Sequence, residues 1–369
     1  MLSEVLFNIP DFRRGQGKMY DLPSVLHMSI LGILSNATSY RQIHIFINAQ
    51  FSKLKKTFGL LWKRVPSYSS IRRIICWVSS SDLEISFRTD ANEREYKISY
   101  EGDLFVLSFD GKVLKGSFDD FKDVKSIQIL SIFSKKSKLI LAHEQIAEKT
   151  NEIPVSQALI PKLGFKDAIF TADALSCQKK TANVIVESGN SFVVQVKKNQ
   201  KALLNACQLT SEISEPIDEY TEPFEKGHGR IEARKASVFM INSAEMPSDE
   251  WDKFTRFIKV ERFREDFDTK TKKYKKKPEV SFYCATNKLT AQEYNEVIRG
   301  HWGIENSNHY VRDVSMKEDA SRIRINPQNI MRLKSYALNI LRDSGVTNIA
   351  ARLFENSVNI KELFKLNIW

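Results

Sequence analysis

Two aspartates each close a short apolar run. LFVLSF, residues 104–109, ends at Asp110, and AIFTA, residues 168–172, ends at Asp173. Apolar runs of this length read as buried strands. A carboxylate there is costly unless it is paired, hydrogen-bonded or bound to metal. The carboxyl ends of strands are also where α/β sheets bind their ligands. Asp173 precedes a helical stretch and could be its cap, but two such aspartates together favour a metal site.

A third group lies in IRGHWGIENSNHYVRDV, residues 298–314. His301, Glu305, His309 and Arg312 are spaced four, four and three apart, which predicts a single helical face. Such a face could belong to a site or to a surface helix laced with charge pairs, and spacing alone does not choose. The order is not HExxH and no third strong ligand is near, so zinc is disfavoured.

The elements that must position these groups follow from periodicity. Residues 1–95 read as helical, with Leu22, Val25, Leu26, Ile30, Ile33 and Leu34 at helical spacing. A second helix is predicted over Tyr40–Ala49, and Pro66-Ser67-Tyr68-Ser69-Ser70 supplies caps for a third. Basic residues among them, such as Lys55, Arg64, Arg72 and Arg73, suit either a solvated face or a DNA-contacting one.

From residue 103 the period changes. Asp110-Gly111-Lys112 reads as a turn, with Val113–Ser117 as the return strand of a hairpin and Ile127–Phe133 as a third strand. A helix at 155–163, a strand at 168–172, a helix at 174–187 and a strand at 192–196 follow. Hairpin strands and then strand–helix alternation predict an α/β fold with a ribonuclease H-like mixed sheet. A β-rich stretch over about 207–288 interrupts it, with strands at 236–241, 254–263 and 280–285. The lysine-rich segment 270–277 between the last two cannot be buried and reads as a hairpin tip. The chain is helical again from 290 to 342, and 343–369 forms a helical tail.

Composition narrows the partner. Lys plus Arg number 56 against 45 for Asp plus Glu, a net charge of +11. That surplus suits a polyanion without demanding one. The four cysteines form no CxxC, which fits a reducing compartment. No signal peptide or membrane-spanning stretch is apparent, so a cytoplasmic location is expected. The phosphate-cradling patterns GxGxxG and GxxxxGK[ST] do not occur.

Several blocks resemble, in order, those of the bacterial ISAs-type insertion-sequence transposases, also called H-repeat-associated proteins. They are FDGKVLKGS, EKTNEIPVSQALIPKLGF with FTADALSCQKKTA, FVVQVKKNQ, HGRIEAR, and IRGHWGIENSNHYVRDVSMKEDASRIR. IPDFRRG and PSYSSIRR resemble the N-terminal domain associated with that family. The resemblance implies a ribonuclease H-like catalytic domain over 100–342, a helical N-terminal domain over 1–95 that binds DNA ends, and a β-rich insertion before the final catalytic helix. It places the catalytic acids at Asp110, Asp173 and Glu305. At Asn308, Tyr310 and Arg312 the family pattern has Leu, Trp and Leu, so packing and charge beside Glu305 differ.

Three carboxylates suit two hard divalent cations, Mg²⁺ or Mn²⁺. The implied reaction is nicking at transposon ends, then attack of the freed 3′-hydroxyl on target DNA. The implied partners are double-stranded DNA, both terminal inverted repeats and target, and a second copy of the chain on that DNA, near the nucleoid. Candidate phosphate contacts are Lys112, the run Lys197, Lys198, Asn199 and Gln200, His228 and Arg230, Arg299 and His301, and Arg322 and Arg324. A metal-dependent endonuclease without strand transfer, or a non-catalytic DNA-binding descendant of a transposase, would share many of these features.

Overall fold

The structure is a computed structural model, and it describes residues 2–98, 100–118, 125–148, 150–227, 230–241, 246–268, 273–276 and 278–368. It divides into two compact units. One comprises Met1–Glu101, Gly111–Thr150 and Ile304–Trp369, and the other Gly102–Asp110 and Asn151–Gly303.

The first unit is mostly helical. Its N-terminal helices are α1 (Leu2–Phe7), α2 (Leu22–Leu34), α3 (Tyr40–Phe58), α4 (Tyr68–Trp77) and α5 (Ser80–Glu95). Local chemistry sets their ends. Asp21 caps α2, Ser39 caps α3 and Ser67 caps α4 through side-chain oxygens that accept backbone N–H groups. Gly59 ends α3 in the left-handed region at φ 64°, which glycine enters without a Cβ penalty. The apolar faces of α2, α4 and α5 pack on the late helix α10 (Pro327–Asp343), whose buried side includes Met331, Leu333, Tyr336, Leu338 and Leu341.

Strand β1 (Val106–Val113) passes from the second unit into the first, where β2 (Gln128–Ser134) and β3 (Ile140–Ile146) form an antiparallel pair. Two expectations are corrected here. Asp110-Gly111-Lys112 is not a turn, because β1 continues to Val113 and a short 3-10 turn at Lys115–Ser117 follows. The hairpin is β2–β3, and β3 was not anticipated.

The second unit holds the first residues of β1, then α6 (Glu152–Leu159), β4 (Ile169–Ala172), α7 (Lys179–Glu187), β5 (Ser191–Val196) and α8 (Lys201–Ile213). The β-rich stretch follows as β6 (Asp218–Thr221), β7 (Glu225–Gly227), β8 (Arg230–Met240), β9 (Arg256–Asp268), β10 (Lys273–Lys276) and β11 (Glu279–Ala285). Within this unit the strand order is β1-β4-β5-β11-β9-β8-β6. β1, β4 and β5 run parallel, and β11 joins β5 antiparallel. The β-rich stretch is therefore not a separate module, because it continues the same sheet. The class is the expected one, a ribonuclease H-like mixed α/β fold with a helical N-terminal part.

Helix α9 (Ala291–His301) closes the unit. Thr290 and Glu293 form a reciprocal capping box at its start. Its Ala291, Tyr294, Val297 and Ile298 pack over Val106, Ile169, Val193, Val238 and Ile258, so the helix lies on one face of the sheet. After it, the first unit continues through α10 to α11 (Ile349–Val358) and α12 (Ile360–Leu363). Among the described residues no helix is long and apolar enough to cross a membrane.

Candidate active site

In the second unit the pairing of β1 with β4 holds a constant offset. Val106 faces Ile169, Leu107 faces Phe170 and Ser108 faces Thr171. Asp110 follows Ser108 by two positions within β1, and Asp173 follows Thr171 by two, just past the end of β4. Side chains two apart in a strand share a face, so Asp110 lies on the face of β1 where Ser108 meets Thr171. Between them Phe109 points the other way into an aromatic cluster with Phe170 and Phe192, which fixes the strands that carry the acids.

Asp173 is also a cap. Its Oδ1 accepts N–H bonds from Leu175 at 3.0 Å and Ser176 at 3.3 Å. The cap and metal readings do not compete, because those bonds engage one carboxylate oxygen and Oδ2 faces no hydrogen-bond donor among the described residues. The turn after it is held from the side. Asn199 donates to the Ala174 carbonyl at 2.7 Å, and Gln200 donates to the Cys177 carbonyl at 2.9 Å. These two amides therefore shape the loop beside Asp173, while the neighbouring Lys197 and Lys198 are exposed.

Beneath the aspartates the Thr171 hydroxyl meets Ser108 Oγ at 2.8 Å and His301 Nδ1 at 3.1 Å. Burial pushes His301 down to about 4, against the upward pull of the Asp173 charge. It is therefore neutral at pH 7, and it acts as a hydrogen-bonding anchor for the end of α9. The Ser108 and Thr171 pair was not anticipated, although both stand two residues before an aspartate, the alternation that would have revealed them.

Glu305 belongs to the first unit, four residues after His301 in the chain. It lies in a π-helical segment, Ile304–His309, that is followed by a second, Val311–Ser315. Glu305 is exposed, whereas His309 and Arg312 are buried. The expected single face of His301, Glu305, His309 and Arg312 is not formed, because the wider π turn changes the phase at which side chains stack. π-helical turns recur at functional sites, where they re-aim one side chain relative to its neighbours.

A buried charge network holds this segment. Arg312, with no exposed surface, donates to Glu318 at 2.9 Å, and Lys112 donates to Glu318 at 2.7 Å and to Asp313. Lys334 donates to the Met316 carbonyl at 3.0 Å. Burial alone would raise the Glu318 carboxyl, yet Arg312, Lys112 and Lys334 hold it down to about 2. Lys112 is thus engaged inside the protein. Arg299 is likewise engaged with Glu222 and Glu225, whereas Arg322 and Arg324 are exposed. His228 lies outside the described residues, and Arg230 begins β8.

Arg312 therefore has a partner that the family's Leu would not need. Asn308 does not. It is fully buried, and among the described residues neither its amide nitrogen nor its oxygen has a hydrogen-bond partner. An unsatisfied buried amide costs about 1–3 kcal/mol. Asn308→Leu is accordingly expected to raise unfolding stability by about 1 kcal/mol or more, read as a higher urea midpoint at unchanged m.

Carboxylate oxygens of the kind Asp110 and Asp173 carry suit a hard cation. Among the described residues no three His, Cys, Asp or Glu side chains stand together as a ready-made metal cage.

Residues 106–340 match the family described as Transposase DDE domain, and residues 3–89 match the one described as DDE_Tnp_1-associated. The chain is 29% identical to "Putative transposase YncI" of Escherichia coli O157:H7, over 98% of this chain and 94% of that protein. It is 28% identical to "H repeat-associated putative transposase YhhI" of Escherichia coli K12, over 95% and 93%. The cryo-EM structure of piggyBac transposase synaptic complex with hairpin DNA aligns with 98% of this chain and 76% of its own, at a TM-score of 0.45 and 11% identity.

Proposed function

The chain belongs to the DDE transposase family, and from that premise we propose that it cuts the ends of a DNA element and joins them to target DNA. The observation that carries this reading is the parallel pairing of Ser108 with Thr171, each two residues before one of the aspartates, with their hydroxyls 2.8 Å apart. In this reading Asp110, Asp173 and Glu305 would together hold two divalent cations, Mg²⁺ or Mn²⁺. Bound there, the cations would activate the attacking oxygen and stabilise the leaving 3′ oxygen of an in-line displacement.

The chain's own residues orient and hold. Asn199 and Gln200 fix the loop that aims Asp173, and neutral His301 pins the end of α9 through Thr171. Lys112 and Arg312 act through Glu318 on the segment that carries Glu305. Of the candidate phosphate contacts among the described residues, Lys197, Lys198, Arg322 and Arg324 are exposed and would meet phosphates. Synapsis of two ends calls for two copies of the chain on DNA.

The deciding experiment offers purified protein a pre-cut end from the DNA flanking its gene, plus a target plasmid and Mg²⁺. Covalent joining of end to target is expected. Hydrolysis without joining, in either Mg²⁺ or Mn²⁺, would replace transposition with the endonuclease reading.

A further inference from the structure

Three of the four cysteines meet inside the second unit, and the reaction at the carboxylates uses none of them. Cys207 lies in α8 and Cys284 in β11, and their sulfur atoms are 3.9 Å apart. Both thiols are free, as is that of Cys177, in the turn between Asp173 and α7. All three side chains are buried. Cys177 is near enough for a charge on it to act on both of the others. A single buried cysteine is ordinary core filling, but two free sulfurs in contact, from segments far apart in the chain, can react with each other.

The pleat and the helix period bring the pair together. Ala285 packs in the cluster beneath α9, so its neighbour Cys284 points to the opposite face of the sheet. Helix α8 packs on β11 and β9. Its Leu203, Ala206, Cys207 and Thr210 recur at helical spacing and form its buried side. The two sulfurs thus meet between a strand and the helix that covers it. That helix is also tied at its start. Asn199 and Gln200, which immediately precede it, hold the Ala174 and Cys177 carbonyls and so shape the loop beside Asp173. A displacement of α8 is therefore felt at the loop that aims Asp173.

We propose that Cys207 and Cys284 are an oxidation site, which hydrogen peroxide converts to a disulfide that draws α8 toward β11 and slows the chemistry at Asp173. In the first step one sulfur attacks the peroxide O–O bond and becomes a sulfenic acid, releasing water. In the second the other sulfur displaces that hydroxyl, forming the S–S bond and releasing a second water. Each water carries away one thiol proton, so two thiols are oxidised and one peroxide is reduced. A disulfide is about 2.05 Å long, so the sulfurs close by about 2 Å. Misplacing a catalytic group by about 1 Å can lower a rate by about 10²-fold. Burial pushes the Cys284 thiol well up and that of Cys177 up to about 12, so neither ionises at pH 7. The pair therefore stays reduced in ordinary conditions and reacts under sustained oxidation. The choice of nicking as the step that slows rests on the transposition reading, whereas the disulfide itself does not.

The test holds the full-length protein in hydrogen peroxide, then unfolds it, alkylates it with N-ethylmaleimide and digests it for mass spectrometry. Two of the four thiols should escape alkylation, and one peptide pair should be joined through Cys207 and Cys284. Because the link spans 77 residues, the oxidised protein should unfold at a higher urea midpoint than the reduced one. Nicking in Mg²⁺ should fall by about tenfold or more and return with dithiothreitol. Cys207→Ala and Cys284→Ala, made separately, should form no such link and keep their nicking rates in the same peroxide. Cys177→Ala should still be linked and slowed. Four alkylated thiols after oxidation, a link through Cys177, or a Cys207–Cys284 link that leaves nicking unchanged would each overturn the proposal. So would equal slowing by peroxide in Cys284→Ala. If the reduced protein never nicks while the link forms and raises the midpoint, the transposition reading fails and the oxidation site stands.

Discussion

Asp173→Asn is expected to abolish Mg²⁺-dependent nicking, by about 10³-fold or more, while DNA binding and folding persist. A thousandfold is about 4 kcal/mol of transition-state stabilisation, a reasonable share for one carboxylate ligand of a two-cation site. The substitution is chosen for what it keeps. Asparagine caps a helical turn about as well as aspartate, so the bonds from Leu175 and Ser176 to Oδ1 survive and the loop stays in place. Only the charge is lost. Glu305→Gln should behave alike, and because Glu305 is exposed, its replacement leaves no buried gap. Asp110→Asn completes the set. Each is measured by end nicking in Mg²⁺ beside duplex binding in Ca²⁺. Full cleavage by any one of them removes that residue from the catalytic group.

The three acids were not equally legible in the sequence, and the reason is physical. Asp110 and Asp173 follow apolar runs whose burial can be read residue by residue. Gly111 misled the reading of what comes next, since glycine after aspartate is a strong turn signal, yet β1 runs on to Val113. Strand β3 was missed because its apolar run is broken by His143 and Glu144. His143 is tolerated there, fully buried, because Glu84 of α5 accepts from its backbone N–H at 2.7 Å and meets its ring at 3.2 Å. Glu305 was visible only through the family's motif, because a π-helical run has no simple periodic signature in sequence. The pairing of Lys112 with Glu318 joins residues 206 apart, and nothing local in either segment announces it. Short-range chemistry was readable, whereas long-range electrostatic pairing required the fold.

That pairing sets the second large effect. Glu318→Gln is expected to destabilise the protein by about 3–5 kcal/mol at pH 7, the usual result of removing one partner from a buried ion group. The variant leaves Arg312 and Lys112 facing each other with Asp313 as the remaining nearby acid. Lys334 shows that the network is not uniformly favourable. Burial lowers it to about 8 despite the pull of Glu318, so its charge is held at a cost. The sign of the pH dependence follows from Glu318 itself. Its carboxyl titrates near 4.5 when unfolded and near 2 when folded. The unfolded chain therefore binds the proton first, and the stabilisation is complete above about 4.5 and fades as pH falls toward 2. Glu84, also held at about 2 by His143 and Arg332 against its burial, adds a loss in the same window. Urea unfolding at pH 7 and pH 3 should show the variant lower at pH 7, with the gap to wild type narrowing by about 2 kcal/mol or more at pH 3. An equal gap at both values would mean that Glu318 contributes shape rather than charge. Below its melting range the same variant should also nick more slowly, because the π-helical segment that carries Glu305 loses the tether beneath it.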